Sequence, residues 1–195
     1  MQGETILIDV LITGKKVRLR NVQQDDLKTL WSLRYGEENP LWKKWDTPYS
    51  ANEIMDYPTY INNEMKLRRY DQKLGVFSEL LIEREHQIIG SVVYYWENEP
   101  ARWLEIGITI YEPRYWNGGY GTEAISLFIP YLFQNLTIER IGLTTWSGNK
   151  RMMTVAEKVG MQLEGRIRKS IYHDGIYYDS IKMGMLREEW QARNE

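Results

Sequence analysis

The segment Pro113-Arg114-Tyr115-Trp116-Asn117-Gly118-Gly119-Tyr120-Gly121-Thr122-Glu123-Ala124 places three glycines directly before an amphipathic pattern. Glycine at a strand-to-helix junction lets the backbone come close to a ligand. The first amides of a helix lack intrahelical acceptors, and the positive end of the helix dipole lies beside them. Such a junction holds phosphate oxygens without a basic side chain, so a diphosphate ligand suits the segment. A tight turn with no ligand uses the same glycines, and the loop alone leaves both readings open.

Rival chemistries for these residues fit less well. Gly119-Tyr120-Gly121-Thr122-Glu123-Ala124 matches the dinucleotide pattern G-x-G-x-x-A, and Glu139 lies about 20 residues on. In that pattern the acidic residue ends the second strand, whereas Glu139 precedes the apolar run 141–145 and belongs at a strand's start. The glycines also follow consecutive strands rather than the first strand of a βαβ unit. No Gly-Lys-Ser/Thr follows them, which removes a nucleoside-triphosphate loop. His86 and His173 are the only histidines, cysteine is absent, and neither H-E-x-x-H nor G-x-S-x-G occurs. No metal site, thiol nucleophile or serine elbow is expected, and both histidines read as surface turn residues.

Composition narrows the class. A chain of 195 residues fills one core well and is short for two, so a single domain over 1–195 is expected. With 43% hydrophobic and 27% charged residues, no stretch approaches the roughly 20 apolar residues of a membrane span. The opening segment alternates Ile6, Ile8, Val10 and Ile12 and reads as a strand, not an export signal. The missing cysteines fit a reducing compartment, and the cytoplasm is the expected location. A net charge of −2 gives no general attraction for nucleic acid or membrane, so an anionic ligand needs a local site. Eight Trp and fourteen Tyr exceed the usual needs of such a core, and surplus rings line clefts or subunit contacts, a homodimer among them.

The elements that position the loop follow from periodicity. Residues 6–20 read as a hairpin turning near Thr13-Gly14-Lys15. Asp25 is expected to cap a short helix through Leu27, Leu30 and Trp31 to Tyr35. Residues 36–49 form an aromatic loop, after which Ser50 and Glu53 suggest a capping box for a second helix interrupted or kinked at Pro58. Residues 75–111 read as a three-stranded antiparallel meander broken at Glu85-His86 and Asn98-Glu99-Pro100. A helix near 120–132, a strand over 138–145 and a helix near 152–159 follow. Runs 163–171 and 176–185 flank His173-Asp174-Gly175, a strong hairpin signal.

The run 108–124, with Trp116-Asn117-Gly118-Gly119-Tyr120-Gly121-Thr122-Glu123-Ala124, resembles the acetyl-CoA loop of the GNAT N-acetyltransferases. It is most similar to the branch that acetylates ribosomal-protein alanine or serine N-termini. Asn149-Lys150-Arg151-Met152 through Val159-Gly160-Met161 resembles the second signature, and Leu163-Glu164-Gly165 with Leu186-Arg187-Glu188-Glu189-Trp190 closes a core of about 17–190 after a short N-terminal strand. The resemblance implies an α+β fold: a single GNAT (acyl-CoA N-acyltransferase) domain whose mixed central sheet is splayed at the cofactor cleft, between 104–110 and 141–145, with helices on both faces. It implies acetyl-CoA as co-substrate and no metal. Pantetheine would lie in the gap like an extra strand, bound by main-chain groups of Ile108 and Ile110, with Thr109 between them in the site. The loop Trp116, Asn117, Gly118, Gly119, Tyr120, Gly121 and Thr122 would hold the diphosphate, and Asn149 matches an asparagine that contacts the pantetheine arm. Three positions depart from the pattern: Trp116 stands for Arg or Gln, Met152 for a serine proposed to assist catalysis, and Ile171 for a glutamate proposed as base.

The implied reaction is direct attack of a neutral primary amine on the acyl thioester, with a backbone N–H near Ile108 stabilising the carbonyl oxygen. Glu105 is the candidate base through a water, with a sheet-edge salt bridge as its ordinary alternative. Tyr172 is the candidate proton donor to the thiolate, with a hydrogen-bonded structural tyrosine as its alternative. Trp42, Trp45, Tyr49, Tyr115 and Trp116 would line the acceptor pocket, for a peptide N-terminus, a polyamine or another small amine. An acyl-CoA-binding protein without turnover stays open, as does, lower in rank, a nicotinamide-dinucleotide enzyme.

Overall fold

The computed structural model describes residues 9–38, 40–46, 54–66, 70–71 and 74–193. In chain order the elements are β1 (Leu11–Thr13), β2 (Arg18–Asn21), α1 (Leu27–Tyr35), α2 (Tyr57–Lys66), β3 (Tyr70–Asp71), β4 (Val76–Phe77), β5 (Glu79–Arg84), β6 (Gln87–Asn98) and β7 (Trp103–Ile110). They continue with α3 (Tyr120–Asn135), β8 (Arg140–Trp146), α4 (Lys150–Val159), β9 (Gln162–His173), β10 (Ile176–Leu186) and α5 (Arg187–Ala192). Eight strands form one sheet in the order β1-β2-β5-β6-β7-β8-β10-β9, and β3 and β4 pair separately.

The turn residues explain the meander. Glu85 and His86 both take positive φ, 48° and 64°, the geometry that closes a two-residue hairpin with the right twist. Asp174 and Gly175 do the same at the β9–β10 turn, with φ of 49° and 78°. At Gly90 a Cβ would stand 2.2 Å from Thr109 O, so only glycine allows β6 to lie this close to β7.

Adjacent residues of β5 serve opposite faces. Leu80 and Ile82 join the core under α3 and α4, with Ile125, Phe128, Leu132 and Ala156. Leu81 joins Leu30 of α1 and Tyr60 of α2 on the other face. Helices therefore cover both sides of the sheet. Arg187 ties the last helix to α3: its guanidinium donates to Ile138 O, Phe133 O and Leu136 O, each at 2.8 Å. These carbonyls follow or end α3, where intrahelical donors run out.

All neighbouring strands in the large sheet are antiparallel except β7 and β8. That parallel pair holds only at Leu104↔Ile141 and Glu105↔Gly142. Beyond it β7 runs on to Ile110 and β8 to Trp146 without pairing with each other, and this is the expected splay.

Several local expectations change. Asp26, not Asp25, organises the entry to α1: it accepts the Gln23 N–H at 2.8 Å and two bonds from Arg20 at 2.6 and 2.8 Å. Pro58 does not kink a helix. It falls in the first turn of α2, where an amide has no partner to lose. Asp56 caps that turn, accepting from Thr59 N–H at 2.7 Å. The Ser50 and Glu53 box, Tyr49 and the residues Ile6 and Ile8 lie outside the described residues. Ile138 is buried in the core ahead of β8 rather than within it.

Candidate functional site

The unpaired parts of β7 and β8 bound a cleft of about 590 Å³. Its first wall is main chain. Tyr111 N–H donates to Ile89 O at 3.0 Å. Opposed residues in an antiparallel pair alternate between exchanging both main-chain bonds and exchanging none. With the register Ser91↔Thr109 and Val92↔Ile108, the main-chain groups of Thr109 are spent on β6. Those of Ile108 and Ile110 point into the gap, whereas the Glu105↔Gly142 bridge takes up the Ile106 N–H. Thr109 therefore reaches the cleft through its side chain only.

The loop continues that wall. Asn117 and Gly119 adopt left-handed φ, 61° and 80°, and Gly119 is the residue before α3, with no side chain capping the helix. The first helical bond runs from Glu123 N–H to Gly119 O at 3.0 Å. The amides of Tyr120, Gly121 and Thr122 thus have no intrahelical acceptor. A Cβ on Gly121 would meet nothing nearer than Ile108 Cδ1 at 3.5 Å, so the space beside it belongs to the cleft. Uncapped amides, two positive-φ positions and an open glycine fit a diphosphate group joined to an arm that runs along β7.

The second wall is side chains. Asn149 caps α4, its Oδ1 accepting from Met152 N–H at 3.0 Å while its Nδ2 donates to Trp45 O at 2.6 Å. Its amide is committed to the protein at both ends, and one N–H remains for an arm in the cleft. Arg151 lies between two indoles, 4.4 Å from the Trp45 ring centre and 4.5 Å from that of Trp116. Trp116 itself donates from Nε1 to Ile110 O at 2.9 Å, so in this structure an indole takes one of the outward carbonyls of β7. Met152 also lines the cleft, and Ile171 on β9 does not.

Glu105 lies at the base of the splay and is 1% exposed. Tyr95 donates to its Oε2 at 3.3 Å and Thr144 to its Oε1 at 2.9 Å, with Lys182 Nζ 3.6 Å away. Tyr95 and Thr144 line the cleft, so Glu105 meets it through them. Loss of water and the Glu105 charge push the Tyr95 phenol above its usual range. Tyr172 is not brought here. It is 59% exposed on β9, at the sheet edge beyond β10, against Tyr177. Glu139 precedes β8, 84% exposed at its side chain, and lines a hollow with Trp103 at the start of β7, the end of the strand away from the glycines. A nucleotide ribose at the loop is out of its reach.

Sequence reasoning missed Tyr95, Thr144 and Arg151. Tyr95 stands directly opposite Glu105 in the β6–β7 register, a pairing that becomes legible only once the register is known.

The Acetyltransferase (GNAT) domain profile matches residues 16–162. The SPbeta prophage-derived uncharacterized N-acetyltransferase YokL of Bacillus subtilis (strain 168) is 25% identical over 182 residues, 93% of this chain and 96% of the relative. The crystal structure of a spermidine N-acetyltransferase from Vibrio cholerae in complex with CoA and spermine superimposes with a TM-score of 0.72 at 20% identity, covering 91% of this chain and 99% of that one. RimL, a ribosomal alpha-N-protein acetyltransferase solved with coenzyme A, superimposes with a TM-score of 0.70 at 16% identity over 92% and 99%. The profile alone spans well over half of the sequence, and the main-chain cleft described above lies within it: this chain belongs to the GNAT acetyltransferases.

Proposed function

We propose that the chain transfers an acetyl group from acetyl-CoA to a primary amine, either a protein N-terminus or a small amine. The observation that carries this reading is the gap between β7 and β8, where outward main-chain groups of Ile108 and Ile110 continue into the uncapped amides of α3. The acetyl thioester supplies the electrophile. The amine nitrogen bonds to the acyl carbon as the carbon–sulfur bond breaks, the sulfur leaves with the electron pair, and the amine's proton passes to a base. The Ile108 N–H faces the gap and suits the carbonyl oxygen. Glu105 is the proposed base, reached through Tyr95 or a water, and its bonds from Tyr95 and Thr144 hold it ready.

An α-amino group, with a pKa of about 7.7 to 8.0, is partly neutral near pH 7, whereas a lysine at about 10.4 is almost wholly charged. A base this sheltered suits an acceptor that asks little of it. The solved neighbours that act on spermidine and on a ribosomal-protein terminus cover both acceptor classes. The cysteine-free chain suits a cytoplasmic site of action, and among the described residues no helix is long and apolar enough to cross a membrane.

Met152 and Ile171, at positions where relatives carry proposed catalytic groups, favour one second reading, a protein that binds acetyl-CoA without turnover. Release of free thiol from acetyl-CoA, followed over peptides with free N-termini, polyamines and aminoglycosides, decides between them. Release that depends on one acceptor is expected. CoA binding without release for any amine would leave the binding protein.

A further inference from the structure

Glu123 stands in the first turn of α3, where a carboxylate ordinarily serves the helix dipole and where its charge opposes any anion brought to the same turn. Here that carboxylate is engaged elsewhere. It accepts from the main-chain N–H groups of Lys15 at 2.7 Å, Lys16 at 2.8 Å and Val17 at 3.0 Å. Gly14 completes the contact, since a Cβ there would stand 3.0 Å from the Glu123 carboxyl carbon. Three charge-assisted bonds therefore lock the β1–β2 turn onto the start of α3.

The lock places a cation. Lys16 Nζ donates to Gly118 O at 2.8 Å and lies 3.0 Å from where a Cβ on Gly119 would be. An ammonium carries three donors, and Gly118 O takes one. The other two stand beside the residue that precedes the unpaired amides of Tyr120, Gly121 and Thr122. Residues 116–122 contain no Lys or Arg, and a helix N-terminus supplies only about half a unit of positive charge. A diphosphate needs more, and Lys16 has it at the loop.

We infer that Lys16 is a cofactor-binding residue that sets a full positive charge against the diphosphate held by the α3 amides, and that Glu123 is the residue that positions it. The inference rests on the proposed reading of the loop as a diphosphate site. It gives Gly119 a second duty besides its positive φ: any side chain there would crowd the ammonium.

Calorimetry with CoA and with pantetheine, which has the same arm but no diphosphate, tests it. Lys16→Met is expected to weaken CoA about tenfold, the worth of one charge-assisted hydrogen bond, and to leave pantetheine binding unchanged. Lys16 is exposed, so the melting temperature without ligand should not move. Glu123→Gln should weaken CoA in the same sense. The double variant should be no weaker than Lys16→Met alone, because Glu123 acts through Lys16. Wild-type CoA affinity in folded Lys16→Met overturns the assignment, and so does an equal loss of pantetheine. A wild-type protein that binds no CoA removes the diphosphate reading itself, and the role of Lys16 with it.

Discussion

On one wall of the cleft, β7 and the loop before α3 present main-chain atoms: the outward groups of Ile108 and Ile110 and the amides of Tyr120, Gly121 and Thr122. On the other wall, α4 and the 41–46 segment present side chains, with Arg151 between Trp45 and Trp116. The first wall depends on a few positions where glycine or a positive φ is required, and most of its side chains can change without altering the groups it offers. The second depends on partners far apart in sequence, and one substitution alters what it recognises. A cofactor common to many relatives suits a main-chain wall, and an acceptor that differs among them suits a side-chain wall.

The sharpest way to break that contrast is Gly121→Val. A Cβ at this position meets only Ile108 Cδ1 at 3.5 Å and Ile110 Cγ1 at 4.0 Å, so the fold accepts it. The branched methyls then fill the space beside the outward main chain. CoA affinity should fall by about 100-fold or more, close to 3 kcal/mol. Thermal unfolding of the free protein should shift by less than about 1 kcal/mol, as for a surface change. Unchanged CoA binding by calorimetry would mean that the main-chain wall does not hold the cofactor.

Arg151→Ala probes the other wall, with a smaller effect. Its two ring contacts contribute about 0.5 to 2 kcal/mol each. Against them stands the buried Arg151 Nη1, which has no hydrogen-bond partner among the described residues, a cost of about 1 to 3 kcal/mol. The terms nearly cancel, so the melting temperature is a poor readout. The acceptor KM is the informative one. It should rise about three- to tenfold, or roughly 1 kcal/mol, while CoA affinity changes less than it does in Lys16→Met. A larger effect on CoA than on the acceptor would merge the two walls into one site.

The same division governs what the sequence reveals. Gly118, Gly119 and Gly121 before an amphipathic run announce a helix start with open amides because that feature resides in local backbone geometry. Asp174-Gly175 announces its hairpin for the same reason. Arg151 announces nothing, since an arginine at the start of α4 reads as a solvated residue until Trp45 and Trp116 converge on it from elsewhere. Glu105 was visible as a carboxylate on a strand, but its seal by Tyr95 and Thr144 comes from the registers of three strands. Pro58 shows the limit in local form. A proline is an interruption inside a helix and an ordinary residue in its first turn, and which applies turned on the cap at Asp56.

Tyr172 carries the smallest expected effect and tests whether the outer strands belong to the chemistry at all. Its phenol, in Ser170-Ile171-Tyr172-His173, is the sequence's candidate proton donor to the departing thiolate. The fold places it on β9, with β10 between it and β8. Strands lie about 4.8 Å apart, so two steps across the sheet put it roughly 10 Å from β8, whereas proton transfer needs contact of about 2.6 to 3.2 Å or a single water. Its ring packs on Tyr177 with centroids 5.0 Å apart, a contact phenylalanine keeps. Tyr172→Phe should therefore leave kcat within about twofold and the melting temperature within about a degree, the range of a surface substitution, as read by steady-state thiol release and a thermal melt. A tenfold fall in kcat at unchanged CoA affinity would return Tyr172 to the reaction. Because its own cleft is two strands away, that result would also require a phenol delivered from outside it, through a rearranged β9–β10 hairpin or a second copy of the chain.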